Sequence, residues 1–373
     1  MSLRGYIRLI YKFINRQIFL LKKIFIKQII QMDSVEAEKN LENVVEWPKG
    51  TVNAVNTLKK SHDLMIIIPA YNSEKWIDDC LGSVLSQNTK YTYHIVVIND
   101  GSTDNTADIL IKYENDSRVE IIDQENRGFS GARNRGLQTL IGKYLMFLDS
   151  DDQLLPNSIE RLLDAAYQND AEIVEGGFVE VDINNRELRR VAEKNNRHVN
   201  SGLELRGYPV AKVFKSELFE HVIFPEGFWF EDSIIMWTIQ YKVTKAFTIG
   251  NPVYRRLIHS TSITATAQKN IKSIHSYYIT YNLWQELSQN QIEFSPLLIE
   301  QMHNQLSVNY IRTKYQDEKL LKSAFVLMRD VYIKVLPIVD SVILKKKNRI
   351  FDKAIRECDY GMYSLICNYW RWL

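Results

Sequence analysis

Side chains with aromatic, acidic or basic chemistry follow four successive apolar stretches of this sequence. An aromatic ring follows the first stretch, a carboxylate the second, guanidinium groups the third and a pair of carboxylates the fourth. In chain order these side chains are Tyr71, Asp100, Arg127 and Arg133, and Asp149 and Asp151. Pro69 precedes the aromatic ring, and Gly128 follows the first arginine. Each group alone is typical of a turn, a helix cap or a solvated helix face. Their order across successive stretches favours a site for a nucleoside diphosphate and a divalent metal.

The carboxylate pair gives the metal prediction. Mg²⁺ and Mn²⁺ prefer carboxylate oxygens and keep coordination positions for phosphate oxygens and water. The sequence contains neither a G-x-G-x-x-G turn after its first predicted strand nor a G-x-x-x-x-G-K-[ST] loop. Those two motifs bring backbone amides onto phosphates. A nicotinamide-binding domain and a P-loop enzyme are therefore excluded, and Asp149 and Asp151 are predicted to hold the cation that neutralises a diphosphate.

The apolar stretches predict buried strands of a parallel sheet. They are Leu64–Ile68, His94–Ile98, Val119–Ile122 and Tyr144–Leu148. Stretches with helical spacing separate them, including one predicted helix from Ser130 to Ile141. This βαβα succession predicts a doubly wound, mostly parallel α/β sheet flanked by helices. Ligands of such sheets bind beyond the carboxyl ends of the strands, where the chemically capable side chains lie.

Four sequence strings carry a family resemblance: IIIPAYN, VVINDGSTDNT, ENRGFSGARNRG and YLMFLDSDD. Residues 63–152 resemble the nucleotide-binding half of family 2 glycosyltransferases with the GT-A fold, and a weaker resemblance continues to about residue 265. The resemblance implies that Pro69 and Tyr71 pack around a uracil ring and that Asp100 accepts a hydrogen bond from it.

The resemblance also implies roles for the later residues of this half. Arg127, Gly128 and Arg133 would lie on the stretch that closes over the base and the diphosphate. Asp149 would face the ribose and the metal, and Asp151 would ligate the metal.

A second part of the resemblance concerns the acceptor. Phe224-Pro225-Glu226-Gly227 precedes Trp229-Phe230-Glu231-Asp232, and the resemblance implies that Asp232 is the catalytic base, with Glu231 beside it. An inverting displacement needs a carboxylate that takes the proton of the acceptor hydroxyl. The alternative is that the two acids cap a helix from Ser233 to Tyr241.

A late segment, residues 256–264, is similar to a family stretch of the form R-x-x-[HR]-x-x-S-I-T. The resemblance implies that His259 reaches the metal and that Ser262 reaches the diphosphate; the alternative for His259 is a structural role. One departure stands out. Tyr208-Pro209-Val210-Ala211 replaces a segment that in relatives often carries Trp or Gly, which predicts an altered acceptor pocket.

The positive charge of the chain is concentrated at its start. Residues 1–32 hold seven Lys or Arg and no Asp or Glu, so the remaining chain carries 40 basic and 45 acidic residues. That balance excludes a globally basic nucleic-acid binder. The basic side chains fall on one side of a predicted amphipathic helix, which is typical of attachment to an anionic membrane surface without crossing it; a helix packed on the protein or on a partner is the alternative. Sparse cysteines without CxxC spacing predict a cytoplasmic location, peripheral on the inner face of the cell membrane.

The sequence thus predicts four segments. They are the basic amphipathic helix at 1–32, a linker at 33–62, a GT-A domain at 63–266 divided at residue 152, and a helical C-terminal module at 267–373. The predicted function is metal-dependent, inverting transfer of a hexosyl or N-acetylhexosaminyl group from a nucleotide-sugar donor. The predicted acceptor is a hydroxyl of a glycan or lipid-linked glycan in cell-surface synthesis. Alternatives are transfer to a protein or to polyprenyl phosphate, and a non-catalytic subunit that binds nucleotide sugars.

Overall fold

A computed structural model describes residues 3–22, 26–47, 55–259, 269–289, 295–336 and 344–369. The chain forms two compact units. One unit contains residues 48–262, and the other combines residues 1–47 with residues 263–373. The amino-terminal segment therefore belongs to the same unit as the C-terminal helices.

The unit of residues 48–262 is built around one sheet of ten strands. The strands are β1 Thr57–Ala70, β2 Tyr93–Asp100, β3 Val119–Gln124, β4 Thr139–Phe147, β5 Gln153–Leu154, β6 Ile173–Asp182, β7 Glu187–Val191, β8 Arg197–Val199, β9 Lys212–Lys215 and β10 Ala246–Ile258.

The sheet is mostly parallel, as predicted. Its order is β3-β2-β1-β4-β9-β6-β10-β5, with β7 beside β6 and β8 beside β10. Strands β1 to β4 pair in parallel, as do β6 and β10, while β9 runs antiparallel between β4 and β6. Because β9 is antiparallel to both of its neighbours, β6 runs in the same direction as β4. The strands β1, β2, β4, β6 and β10 therefore all end at the same edge of the sheet. Side chains that follow these strands can therefore meet there.

The helices of this unit cover the sheet. They are α3 Ile77–Leu85, α4 Thr106–Leu110, α5 Gly128–Leu137 and α6 Ser158–Gln168, with 3₁₀ turns at Ile111–Tyr113, Gly202–Glu204, Ser216–Phe219 and Gln240–Lys242 and a π-helical turn at Ile235–Ile239. The central strands are buried on both faces, since Leu64, Ile66, Ile67 and Ile68 are inaccessible to solvent. Continuous apolar runs are the sequence counterpart of this double burial.

Two sequence-based boundaries differ from the structure. The helix predicted for Ser130–Ile141 ends at Leu137, because β4 begins at Thr139 and pairs there with Thr57 of β1. The predicted linker contains helix α2, Ser34–Glu42, and its end belongs to β1. Pairing between strands that are distant in sequence overrides the local helical pattern in the first case.

The second unit is helical. Besides α1 Leu3–Lys22 and α2, its helices are α7 His275–Ser288, α8 Pro296–Thr313, α9 Glu318–Val335, α10 Lys346–Arg356 and α11 Tyr360–Tyr369, with a 3₁₀ turn at Ile271–Ile274. The sequence predicts that its aromatic residues pack the interior, and Tyr277, Tyr278 and Trp284 are indeed buried.

The amino-terminal helix exposes several large apolar side chains. Tyr11, Phe13, Ile14, Leu20 and Leu21 are all exposed, whereas Phe19 packs against Tyr369. Among the described residues, no helix is both long and apolar enough to span a bilayer. Binding of residues 1–32 to an anionic membrane surface stays a prediction.

A buried histidine makes the helical unit sensitive to acid. The His303 ring is inaccessible to solvent and lies 2.9 Å, through Nε2, from the Tyr332 hydroxyl. Burial lowers the pKa of His303 to about 3 from its ordinary 6.5. Between these two pH values the imidazole is protonated in the unfolded chain and neutral in the folded chain. The contribution of His303 to the unfolding free energy is therefore fully present above pH 6.5 and is lost as the pH falls.

We therefore expect His303→Gln, which cannot titrate, to remove part of this decline. From pH 7 to pH 4.5 the wild type should lose about 2–3 kcal/mol more unfolding free energy than the variant. Hydrogen exchange of the α8 amides at the two pH values measures this difference. Equal losses in both proteins would show that His303 does not control the acid response.

Candidate functional site

The first part of the site lies where β2 ends. Asp100 is buried at the last position of the strand, and its Oδ1 accepts hydrogen bonds from the Arg127 backbone N–H (2.8 Å) and from Gln124 Nε2 (2.6 Å). Gly101 follows with φ +69°, and a Cβ there would lie 2.8 Å from the Asn126 nitrogen. Only glycine permits this close left-handed turn. Asp100 Oδ2 is buried without a hydrogen-bond partner among the described residues.

The Arg127 side chain points toward the acceptor half of the domain. Its NH2 lies 2.7 Å from Glu226 Oε1 and its Nε 3.2 Å from Glu226 Oε2. Gly128 begins α5 with φ +70°, which lets the chain turn sharply into the helix. Arg127 and Gly128 therefore fix the path between β3 and α5.

Arg133 joins the two halves of the predicted site. It lies on α5, is 6% exposed, and its NH2 is 3.1 Å from Asp149 Oδ1. Its NH1 donates a hydrogen bond to Glu231, and its guanidinium lies 5.4 Å from the centre of the Phe224 ring. Two of its nitrogens are thus committed to carboxylates of the protein. The arrangement places the donor-side Asp149 and the acceptor-side Glu231 on one guanidinium.

The acceptor-side acids occupy a constrained turn. Phe230, directly before them, has φ +66°, a left-handed conformation that is costly for an aromatic residue and often marks functional sites. Burial raises the pKa of Glu231 to about 7, while the Arg133 guanidinium opposes this rise. Asp232 is half-buried, and its carboxylate makes no hydrogen bond within the described part of the chain. A π-helical turn follows them in place of the regular helix predicted for Ser233–Tyr241.

Three carboxylates, those of Asp149, Asp151 and Asp152, lie close together in the turn after β4. Asp151 Oδ2 lies 2.8 Å from His259 Nε2, and Asp152 Oδ1 accepts a hydrogen bond from the Leu257 N–H at 2.8 Å. Burial, and then repulsion from Asp149, raises the pKa of Asp151, and burial with repulsion from both neighbours raises that of Asp152. Like charges are thus held together by the fold, at the carboxyl edge of the sheet.

Two contacts at this turn have no clear signal in the sequence. Buried Tyr254 accepts a hydrogen bond from the Asp149 N–H at 3.2 Å and also hydrogen-bonds Asp152. The Trp76 ring stacks on the His259 ring at 5.6 Å. The pairing of Glu226 with Arg127 likewise has no signal in the sequence.

Pro69 and Tyr71 lie at the end of β1, and the Tyr71 side chain is exposed. Ser262 lies outside the described residues. In the described ranges, no group of three or more His, Cys, Asp and Glu side chains is arranged to hold a metal ion. Asp149 contacts Arg133, and Asp151 contacts His259. A divalent cation on Asp149, Asp151 and His259 stays a prediction.

Known proteins resemble this chain in sequence. Residues 65–223 match the family described as Glycosyl transferase family 2. The chain is 30% identical to the glycosyltransferase GlyG of Streptococcus pneumoniae serotype 4, over 54% of this chain and 73% of GlyG. It is 27% identical to the uncharacterized glycosyltransferase YibD of Escherichia coli K12, over 68% of this chain and 79% of YibD.

The fold also resembles solved structures. The crystal structure of S. aureus TarS 1–349 in complex with UDP-GlcNAc superimposes with a TM-score of 0.67 at 19% sequence identity, covering 83% of this chain and 91% of TarS 1–349. This confirms the predicted GT-A fold. The match to GlyG shows that the chain belongs to glycosyl transferase family 2.

Proposed function

We propose that this chain transfers a sugar from a UDP-sugar to an acceptor hydroxyl, with a divalent metal and with inversion at the anomeric carbon. The observation that carries the proposal is the contact of Arg133 with both Asp149 and Glu231. It sets the carboxylates predicted for the donor beside those predicted for the acceptor. The acceptor is proposed to be a glycan or lipid-linked glycan of a cell-surface polysaccharide or glycoconjugate.

A uracil nucleotide suits the polar groups at the end of β2. Asp100 Oδ2 is buried, and no group in the described chain donates a hydrogen bond to it. A buried carboxylate oxygen without a donor is costly, and a ring N–H of a bound base would satisfy it. The structures of TarS with UDP and with UDP-GlcNAc support the choice of nucleotide.

The carboxylates after β4 suit a hard divalent cation. Asp149, Asp151 and Asp152 lie close enough to repel one another, and a cation relieves such repulsion. Asp149 and Asp151 would hold it, with His259 beside Asp151. When bound, a divalent metal stabilises the negative charge of a departing diphosphate.

The rest of the chemistry falls to the protein's own side chains. Asp232 would take the proton of the acceptor hydroxyl as that oxygen attacks the anomeric carbon. Its carboxylate makes no hydrogen bond in the described part of the chain, so its oxygens can accept this proton. Arg133 would hold Glu231 against the base, and Arg127 with Glu226 would fix the neighbouring loop. A single carboxylate opposite the leaving group suits direct displacement.

The proposal is tested by measuring the affinity for UDP with and without Mn²⁺. We expect Mn²⁺ to strengthen UDP binding by the wild type and not by Asp151→Ala. Asp108→Ala, which removes an exposed helical carboxylate, is the matched control and should behave like the wild type. Equal UDP affinity of the wild type with and without Mn²⁺ would contradict the metal assignment.

A further inference from the structure

A cluster of charged side chains lies on one face of β6, β7 and β10, in the acceptor half of the domain. Glu180 of β6 is paired in register with Arg189 of β7 and with Arg256 of β10. Residues paired in register on neighbouring strands point to the same face of a sheet, so the side chains of Glu180, Arg189 and Arg256 share a face. The segment from Arg206 to Lys212, which leads into β9, and Glu175 of β6 add the other members. The basic cluster consists of Arg189, Arg206, Lys212 and Arg256, with the acids Glu175 and Glu180 and the phenol Tyr208.

The basic cluster holds more positive than negative charge. Glu175 receives both Lys212, whose Nζ lies 2.8 Å from Oε2, and Arg206, whose NH2 lies 3.1 Å from Oε1. Glu180 is likewise shared, at 3.8 Å from Arg189 and 3.6 Å from Arg256. Two carboxylates are therefore shared among four cationic side chains. Even without Lys212, three guanidiniums, which stay protonated in proteins, outnumber two carboxylates.

The Tyr208 phenol lies among these cations with its hydroxyl unused. Its oxygen is buried and has no hydrogen-bond partner in the described chain, and the same is true of Arg206 Nε. Burial raises the pKa of Tyr208, while the guanidiniums of Arg206, Arg256 and Arg189 lower it, so all three act on this hydroxyl. Buried donors without acceptors are rare in folded proteins. Two of them beside an excess of cations indicate that an anion completes the cluster.

The basic cluster adjoins both parts of the proposed active site. Gln240 Nε2, in the helical segment after Asp232, donates a hydrogen bond to the Arg206 carbonyl at 2.9 Å. Arg256 directly precedes Leu257, whose N–H binds Asp152. These contacts connect the cluster to the segment that follows the proposed base and to the strand that binds Asp152. We therefore assign an anion bound there to the acceptor.

We propose that the basic cluster binds a phosphate group carried by the acceptor, close to the hydroxyl that receives the sugar. This inference rests on the proposed function. Tyr208 and Arg206 would donate their unused hydrogens to phosphate oxygens, and Arg189 and Arg256 would contribute positive charge. Guanidinium groups match phosphate oxygens in geometry as well as in charge. The segment Tyr208–Ala211, where the sequence departs from its relatives, would set this acceptor preference.

The test is calorimetric titration of the full chain with inorganic phosphate, at constant ionic strength and with UDP and Mn²⁺ present to fill the nucleotide site. We expect wild-type binding, and binding about tenfold weaker in both Tyr208→Phe and Arg256→Gln, since a hydrogen bond to a charged group is worth roughly that factor. Arg190→Gln is the matched control. Arg190 neighbours Arg189 on the opposite face of β7, pairs with Glu187, and its loss should leave the phosphate affinity unchanged.

Two further measurements separate the explanations. Tyr208→Phe removes an unpartnered hydroxyl, so its thermal stability should equal or exceed that of the wild type, and a loss of binding cannot then be ascribed to unfolding. Glycerol phosphate in place of inorganic phosphate should give the same ranking of the variants by affinity, because the proposed phosphate is an ester of the acceptor.

The proposal is overturned by any of three results. They are no phosphate binding by a wild type that binds UDP, equal weakening by Arg190→Gln, and binding of inorganic phosphate without binding of glycerol phosphate. Phosphate binding with the expected order of variants, in a chain that fails to bind UDP, would support the basic cluster and count against the proposed function instead.

Discussion

Asp232→Asn should lower the turnover number of sugar transfer by about 10²–10⁴-fold, the usual contribution of a general base. Asparagine keeps the size and most hydrogen bonding of the side chain but cannot take the proton of the acceptor. The affinity for UDP should stay near the wild-type value, because the proposed base does not touch the nucleotide. The loss should therefore appear in kcat far more than in binding.

The control for this prediction is Asp79→Asn, an exposed carboxylate on α3, which should leave turnover unchanged. The stereochemistry gives an independent reading of the same mechanism. An α-configured donor should yield a β-linked product, visible in the anomeric coupling constant. Near wild-type turnover in Asp232→Asn would assign the base elsewhere, with Glu231 as the next candidate, and an α-linked product would overturn the inverting mechanism.

Arg133→Leu should lower the unfolding free energy by about 3–5 kcal/mol, the usual cost of removing one partner of a buried ion pair. Arg133 and Glu231 are each only 6% exposed, so Glu231 would be left in the interior without its cation. Burial already raises the pKa of Glu231 to about 7, and loss of the guanidinium should leave this carboxyl protonated at neutral pH. The variant should also release Asp149.

A double-mutant cycle tests the pairing directly. Arg133→Leu combined with Glu231→Leu should recover much of the lost stability, because neither charge then remains buried. Urea unfolding of the wild type, the two single variants and the double variant gives the coupling free energy. Additive losses would show that the two side chains do not stabilise each other.

The sequence predicted the first half of the sheet because burial there leaves a local trace. Strands such as Leu64–Ile68 are apolar on both faces, and the polar residues that follow them mark the sheet edge. The pairing of Ile173–Asp182 with Ala246–Ile258 has no such trace. It joins segments about seventy residues apart, and its strands carry charged residues on one face.

The sequence likewise predicts only part of the candidate site. The motifs located the carboxylates and arginines by position, but a motif does not give the direction of a side chain. Arg133, predicted to lie on the stretch that closes over the base and the diphosphate, bridges Asp149 and Glu231, a contact that no motif indicates. Tyr254 and Trp76 contact the site through tertiary packing alone. Glu226 lies in a motif that the sequence shows, but only its contact with Arg127 in the structure gives it a role.

The proposed function requires that this chain breaks the bond between a sugar and its nucleotide. The most direct test incubates the purified chain with a panel of UDP-sugars and Mn²⁺ and measures the release of UDP over time. We expect release from at least one UDP-sugar, its loss in Asp151→Ala, and strong slowing in an Asp232→Asn variant that still binds UDP. A wild-type chain that binds UDP but releases none from any UDP-sugar, with or without glycan acceptors, would be a nucleotide-sugar-binding subunit and would contradict the proposed sugar transfer.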